Sequence, residues 1–458
     1  MVDKLPRRSA VDRILYLYLG LVLILAAVAG LTVFVKSSIL HRPYPENSLL
    51  FRPEARYSDF TGSALKISHF GEPGMLVEKR FGGPGYTFFP YPLPTVYVYL
   101  FFIRVFPKPL TAYLSTVVTA FVLAALWLLF RLRALVQRSA LPYLLIFISA
   151  ISAFPMFYLY DRANIEGVPW ILIAFGLVAF YRKLYPLAAV LIACAASLKL
   201  FPAILLLLFI AKRQYRALVL GIICLITVTL LAWAGIGPTI LQAAKDGAAG
   251  NRVLFDQYVT QFKVGEEGWD HSLFGVMKEV VWVLLGRGGV LASNTVTTAI
   301  RKMVPIYGAV VCLGFASLYV FKLRRLPILN QLIIYLILSI VLPFVSNEYT
   351  LVHMYFAWAA FLLYLAKDVR TGSSNFPLKN IALILACFAV IFSAQSYWIV
   401  HNTHTINGQI KFCALVGLLW IVLRNPMYSS SLGDTEPPLL KPSPSPGGVV
   451  TMVVYHRK

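Results

Sequence analysis

Residues 14–35 read ILYLYLGLVLILAAVAGLTVFV, 22 positions without a charge or a proline. The hydrocarbon core of a bilayer takes about 20 apolar residues as one helix, so this run by itself points to a membrane protein. It is too long for a signal-peptide core, and no small-residue cleavage site follows it, so it reads as an uncleaved anchor. Outward from it, comparable runs recur at 110–130, 141–159, 165–181, 216–235, 304–323, 328–345, 349–366, 381–400 and 408–424. The stretch 186–211 is long enough to cross once but is interrupted by Lys199 and Pro202. Segments 93–106 and 276–289 are short and contain or abut Pro, Arg or Gly.

Composition excludes the other classes. Of 458 residues, 59% are hydrophobic and 13% charged, against about a quarter charged in soluble chains. That leaves too little charge to coat a water-facing surface, and the expected fold is an all-α multi-span membrane protein whose partner is the lipid bilayer. A net charge of +22 would suggest nucleic acid in a soluble protein; here it reads as the Lys and Arg of cytoplasmic loops, and no nucleic-acid partner is expected. Cys194, Cys224, Cys312, Cys387 and Cys413 stand singly in apolar runs with no CxxC pair, which signals neither a disulfide framework nor a metal site.

Charge sets the orientation. Lys4, Arg7, Arg8 and Arg13 precede the first span and place the N-terminus, residues 1–13, in the cytoplasm. If 93–106 does not cross and 186–211 folds as two helices turning at Lys199, every basic short loop falls inside. The inner face then holds 22 Lys/Arg and 5 Asp/Glu, the outer face 19 and 14. The expectation is about 12 transmembrane helices within residues 14–424 of a plasma-membrane protein. Both termini lie inside, two long outer loops cover 36–109 and 236–303, and the Pro/Ser/Gly-rich stretch 425–458 forms a disordered cytoplasmic tail.

On the outer side, polar residues gather where desolvation is costly without a use. Asp59, in Tyr57-Ser58-Asp59-Phe60, is placed to take a proton from an acceptor hydroxyl as general base, or to cap the helix that follows. Arg162, Asn164 and Glu166 lie in the turn Asp161–Gly167, where four polar residues in seven suit sugar hydroxyls or a phosphate, or simply a connecting loop. Lys199, in Ala-Ser-Leu-Lys-Leu-Phe-Pro, is flanked by apolar residues and is read as a phosphate ligand or one half of a structural ion pair. Helical spacing gathers Asn347, Glu348, Tyr349 and His353 at an outer helix end, where a histidine relays a proton or donates to a phosphate. His271-Ser272 in the second outer loop, and His401 and His404, are weaker candidates.

The order of these pieces resembles the membrane glycosyltransferases of the C superfold: one N-terminal span, a long first outer loop with an early Asp, then Phe89-Pro90-Tyr91-Pro92-Leu93-Pro94. The outer turn with Asn164, the basic inner loop and Ala-Ser-Leu-Lys199-Leu-Phe-Pro are similar to glycosyltransferase family 87, which includes polyprenyl-phosphomannose-dependent mannosyltransferases. His271-Ser272-Leu273-Phe274-Gly275 and Ser346–Tyr355 resemble two further stretches of that family. The resemblance implies Asp59 as base, His353 as the family's late histidine and Lys199 as its apolar-flanked lysine. Arg162 is read beside Lys199 on the donor phosphate and His353 as a second catalytic residue, with Asn164, Glu166, His271, Ser272, Asn347, Glu348 and Tyr349 in contact with substrate. Where the family usually has Gly-Gln-x-Asn, this chain has Asp161-Arg162-Ala163-Asn164, and Asp59-Phe60 replaces the usual Asp-Leu context, which leaves the sugar open.

The expected activity is inverting transfer of mannose or another hexose from a polyprenyl-phosphate-sugar donor to a hydroxyl of a glycolipid or glycan acceptor at the outer face. No cofactor or metal is expected, because a monophosphate leaving group held by fixed cations needs none and no tight carboxylate cluster of the Mg²⁺ kind is present in the sequence. A lipid-linked polysaccharide ligase or polymerase is the nearest alternative. A transporter or lipid flippase is a further one, against which the one-sided polar clustering argues.

Overall fold

The computed structural model describes residues 4–42, 56–67, 77–79, 86–88, 91–135, 139–236, 239–261, 267–285, 290–371, 376–394, 399–400 and 404–428. The tail beyond 428, His401, and parts of the first outer loop, including Phe89-Pro90, lie outside the described residues. The helices in chain order are α1 Lys4–Phe34, α2 Ser58–Ile67, α3 Pro94–Val105, α4 Pro109–Leu135, α5 Leu141–Ile151 and α6 Phe154–Arg162. They continue with α7 Gly167–Tyr181, α8 Tyr185–Leu198, α9 Leu207–Ala211, α10 Tyr215–Ile236, α11 Ile240–Leu254 and α12 Leu273–Leu285. The last five are α13 Val290–Phe321, α14 Ile328–Val341, α15 Met354–Thr371, α16 Leu378–Phe392 and α17 Asn407–Arg424. Two short antiparallel pairings, Val77–Lys79 with Tyr86–Phe88 and Ile399–Val400 with His404–Thr405, complete the all-helical architecture.

Among the described residues, 7 helical stretches are long and apolar enough to cross a membrane: Arg8–Ile39, Pro109–Arg133, Leu141–Arg162, Tyr215–Ile236, Thr295–Arg325, Glu348–Asp368 and Asn407–Arg424. Shorter apolar helices, α3, α7, α8, α14, α16 and the piece Phe201–Ala211, stand among them. The count of about twelve full-length spans is therefore not reached by length alone. The run 381–400 is also shorter as a helix than expected, because Ser393 turns to extended backbone after Phe392 and the polar Ser393-Ala394-Gln395-Ser396 follows.

Proline punctuates the bundle. Pro94, Pro142, Pro155, Pro186 and Pro202 each occupy the first turn of a helical segment, where a missing N–H costs nothing. At Pro202 the ring cannot bond the carbonyl of Leu198, four residues back, so α8 has to end there. Lys199 takes an extended backbone, and Thr95 Oγ1 donates to the freed Leu198 carbonyl at 3.2 Å. The break expected at Lys199 is thus built by its neighbour. α14 is buried along nearly its whole length and is the central helix, as an all-round apolar surface demands. A second, smaller core of Val259, Phe274, Val296, Ile300 and Tyr307 joins the second outer loop to α12 and α13.

Candidate active site

Asp59 sits in the first turn of α2. Two left-handed residues that are not glycine shape its surroundings: Tyr57 (φ 58°) just before it, and Ala163 (φ 48°) at the end of α6. The two turns are tied together, since the Tyr57 N–H donates to the Asp161 carbonyl at 2.7 Å. Such backbone costs about 1 kcal/mol or more per residue and persists only when the surroundings impose it. The consequence here is placement, because the left-handed turn at Ala163 aims Arg162 and Asn164 at the same carboxylate.

Both oxygens of Asp59 are occupied. Arg162 pairs with Oδ1, and Asn164 Nδ2 donates to Oδ2 at 2.7 Å. The same Asn164 nitrogen lies 3.1 Å from the Tyr91 hydroxyl, while the Asn164 side-chain oxygen accepts the Glu166 N–H at 3.0 Å. Tyr113, on α4, donates to the Asn164 carbonyl. Gly167 makes room for this contact, since a Cβ there would lie 2.9 Å from the Tyr113 hydroxyl and 2.6 Å from Val117.

Glu166 is fully buried and divides its carboxylate between two partners. Lys199 Nζ is 3.0 Å from Oε2, and His353 Nε2 is 2.7 Å from Oε1. Burial pushes the Glu166 carboxyl up, but Lys199 and His353 outweigh it and hold the group below the usual carboxylate range. An ionised carboxylate only accepts, so the His353 proton is on Nε2. The Lys199 ammonium also faces the rings of Tyr91 and Tyr349, at 5.1 and 5.2 Å, a cation–π arrangement. Asn347 donates to the Tyr349 hydroxyl at 2.9 Å. The structure thus brings Asp59, Arg162, Asn164, Glu166, Lys199, Asn347, Tyr349 and His353 into one chain of contacts. Two expected contacts are redrawn by it. Arg162, expected on the donor phosphate, is bound to Asp59; Glu166, expected against substrate, is sealed behind Lys199 and His353.

His271, Ser272 and Glu348 belong to a second knot. Glu348 Oε2 is 2.8 Å from His271 Nε2, and its other oxygen holds Lys411, whose ammonium also donates to the Ser393 carbonyl at 2.9 Å. Ser272 Oγ caps α12 by accepting the Gly275 N–H at 2.9 Å. Asp270 Oδ1 accepts the backbone N–H groups of Ser272 and Ser346, at 2.8 and 2.9 Å. All three expected substrate contacts are fully buried, and their partners tie the second loop to the bundle. Gly408 lets α17 reach this knot, since a Cβ there would lie 2.4 Å from the Asp270 carbonyl oxygen. Sequence reading missed Lys411, although it carries the signal that marked Lys199, a lysine inside an apolar helix. It also gave Tyr91 no role of its own. His404 falls in the second strand pairing, not among the site residues.

Residues 88–303 match the family model described as Glycosyltransferase family 87. No curated protein and no solved structure matches the chain. The matched stretch contains Arg162, Asn164, Glu166, Lys199 and His271; Asp59 precedes it, and Glu348, His353 and Lys411 follow it.

Proposed function

We propose that this membrane protein, whose residues 88–303 match the model of glycosyltransferase family 87, is a member of that family and moves a hexose such as mannose from a polyprenyl-phosphate-sugar donor to an acceptor hydroxyl with inversion. The observation that carries the reading is that a carboxylate, Asp59, and a cation, Lys199, are joined through Asn164 and Tyr91 into one partly exposed site. The acceptor oxygen attacks the anomeric carbon, its proton passes to Asp59, and the bond from that carbon to the phosphate oxygen breaks. Lys199, oriented by Glu166, stabilises the charge that grows on the departing polyprenyl phosphate. His353 holds the other oxygen of Glu166, and Arg162 and Asn164 hold Asp59 in a single orientation. The proposed step uses no metal.

In the proposed topology the chain crosses twelve times in the manner of the C superfold. The shorter helices α7, α8, α14 and α16, with 201–211, complete the seven long ones, both termini are cytoplasmic, and the site faces outward. The gathering of charged groups at the end of α6, just before α7 and in the turn 348–353 supports the transferase over a transporter.

Purified protein incubated with polyprenyl-phosphate hexoses tests the reading, with released polyprenyl phosphate as readout. Asp59→Asn keeps the shape and a hydrogen-bonding oxygen but cannot take the proton. It is expected to insert and bind donor normally while transferring at least about a hundredfold more slowly. Near wild-type transfer by this variant would remove Asp59 as the base. Release from diphosphate-linked oligosaccharides alone would favour the ligase or polymerase alternative.

A further inference from the structure

A cavity of about 1340 Å³ runs between α4, α5, α7 and α15, with side chains such as Phe121, Leu128, Phe175, Leu332 and Phe356 on its walls. Its α4 wall extends from Ala112 to Arg131, about 28 Å at 1.5 Å per residue, which is close to the full hydrocarbon thickness of a bilayer. One end lies level with the active site, because Tyr113 on the same turn of α4 reaches Asn164. The other end is marked by Arg131 and Lys367.

A void of this size cannot stay empty at membrane depth, because its walls would forfeit their dispersion contacts. Water does not suit it either, since few wall groups offer hydrogen bonds. Exposed Leu123 and Phe175 on the lining open it sideways to the lipid, so hydrocarbon chains fill it. The charge pattern then selects the head group. No acidic side chain is among the lining residues, and the two that carry charge, Arg131 and Lys367, stand together at one end. Arg131 is exposed, its guanidinium 5.6 Å from the Trp127 ring centroid, with Tyr181 and Tyr364 at the same end of the lining. The groove is also separate from the proposed donor site: Asp59, Arg162 and Lys199 do not line it. At its site-level end Trp170 is fixed by donating to the Val352 carbonyl at 3.1 Å.

We propose that this groove is a binding site for an anionic glycerophospholipid of the leaflet remote from the active site, its phosphate held by Arg131 and Lys367 and its acyl chains in the near half of the groove. Chains from the opposite leaflet fill the remainder.

The test uses the full-length protein in nanodiscs of phosphatidylcholine with phosphatidylglycerol as the anionic probe, reading retained lipid by native mass spectrometry. The expected result is about one phosphatidylglycerol retained per chain, with a several-fold preference over phosphatidylcholine. That preference should fall to near unity in the double variant Arg131→Gln, Lys367→Gln. Ala174→Trp, which narrows the groove at its middle, should lower retention of both lipids while Arg131 and Lys367 remain. Equal retention of the two lipids by the wild type would overturn the proposal, and this arm needs no variant to fold. An unchanged preference in the double variant would also overturn it. Displacement of phosphatidylglycerol by equimolar polyprenyl monophosphate would give the groove to the isoprenoid chain instead. Because the readout is bound lipid, its failure is distinct from failure of the Asp59 transfer assay.

Discussion

Glu166 and Glu348 are two buried carboxylates, each set between one lysine and one histidine, yet their surroundings differ in one decisive respect. Lys199, beside Glu166, keeps 16% of its side chain exposed and faces Tyr91 and Tyr349. Lys411, beside Glu348, keeps 3% and lies under the Phe154 ring at 5.3 Å, with a backbone carbonyl as its other partner. The first trio holds a partly exposed cation at the edge of the site, the group that the proposed function sets against the donor phosphate. The second uses the same three residue types to pin the second outer loop, the turn 348–353 and the last helix together. Composition of a charged cluster therefore does not reveal its role; access to the cation does.

This contrast can be broken at the closed knot first, where the largest effect is expected. Glu348→Ala leaves Lys411 and His271 buried without their shared anion, and losing one partner of such a pair costs about 3–5 kcal/mol. The variant should express poorly or unfold at much lower temperature in detergent, as read by thermal unfolding. A stability equal to wild type would mean that the knot is not structural.

At the open trio, Lys199→Ala should lose donor use above all, seen as a raised KM and lowered kcat/KM for the polyprenyl-phosphate sugar. The accompanying loss of stability should be smaller, about 1.5–3 kcal/mol for a charge-assisted bond, since His353 still holds Glu166. Lys199→Arg should keep part of the activity, because charge survives while geometry changes. Equal donor affinity in wild type and Lys199→Ala would remove the phosphate role.

A third measurement uses pH. The folded Glu166 carboxyl is held below its ordinary value of 4.5, so its share of stability is fully present above that value and is lost as pH falls through the lower folded value. Thermal stability should decline on acidification in that window, and Glu166→Gln should flatten that part of the profile. An identical acid limb in the variant would place the titration elsewhere.

The smallest effect concerns Ala163. Glycine accepts the left-handed backbone without the steric cost that alanine meets, so Ala163→Gly should gain about 1 kcal/mol or less and leave transfer intact. A loss of stability would show that the buried Ala163 methyl contributes more through packing than its backbone costs.

Much of this was legible in the chain. The apolar runs located most helices, and Pro202 next to Lys199 marked the break that exposes a cation. Asp59 stood out in the first outer loop, and Arg162, Asn164 and Lys199 as polar groups at the ends of apolar segments. What could not be read was pairing across distance. Glu166 and His353 are 187 positions apart and meet at 2.7 Å, and nothing local to either announces the other. For the same reason the burial of His271, Ser272 and Glu348 was not legible: a short motif shows that a residue is polar at the membrane edge, but Lys411 on α17, which comes last in the chain, covers Glu348. The lengths of α14 and α16 were overestimated because hydropathy does not see where a carbonyl loses its partner.

The 3₁₀ turn Glu348–His353 has Glu348 in the closed knot at one end and His353 in the open trio at the other. Five positions separate the two anchors, and both are ion-paired to segments far away in the chain. Side chains between them are held as well, Val352 by full burial and Thr350 by its hydroxyl, which donates to the Asn347 carbonyl at 2.7 Å, but the count of residues is the stricter constraint. An insertion or deletion here has no slack to absorb it, unlike one in an ordinary surface loop, and would shift one anchor off its partner or the other. The turn is thus a ruler between framework and site, and its length is what it can least change.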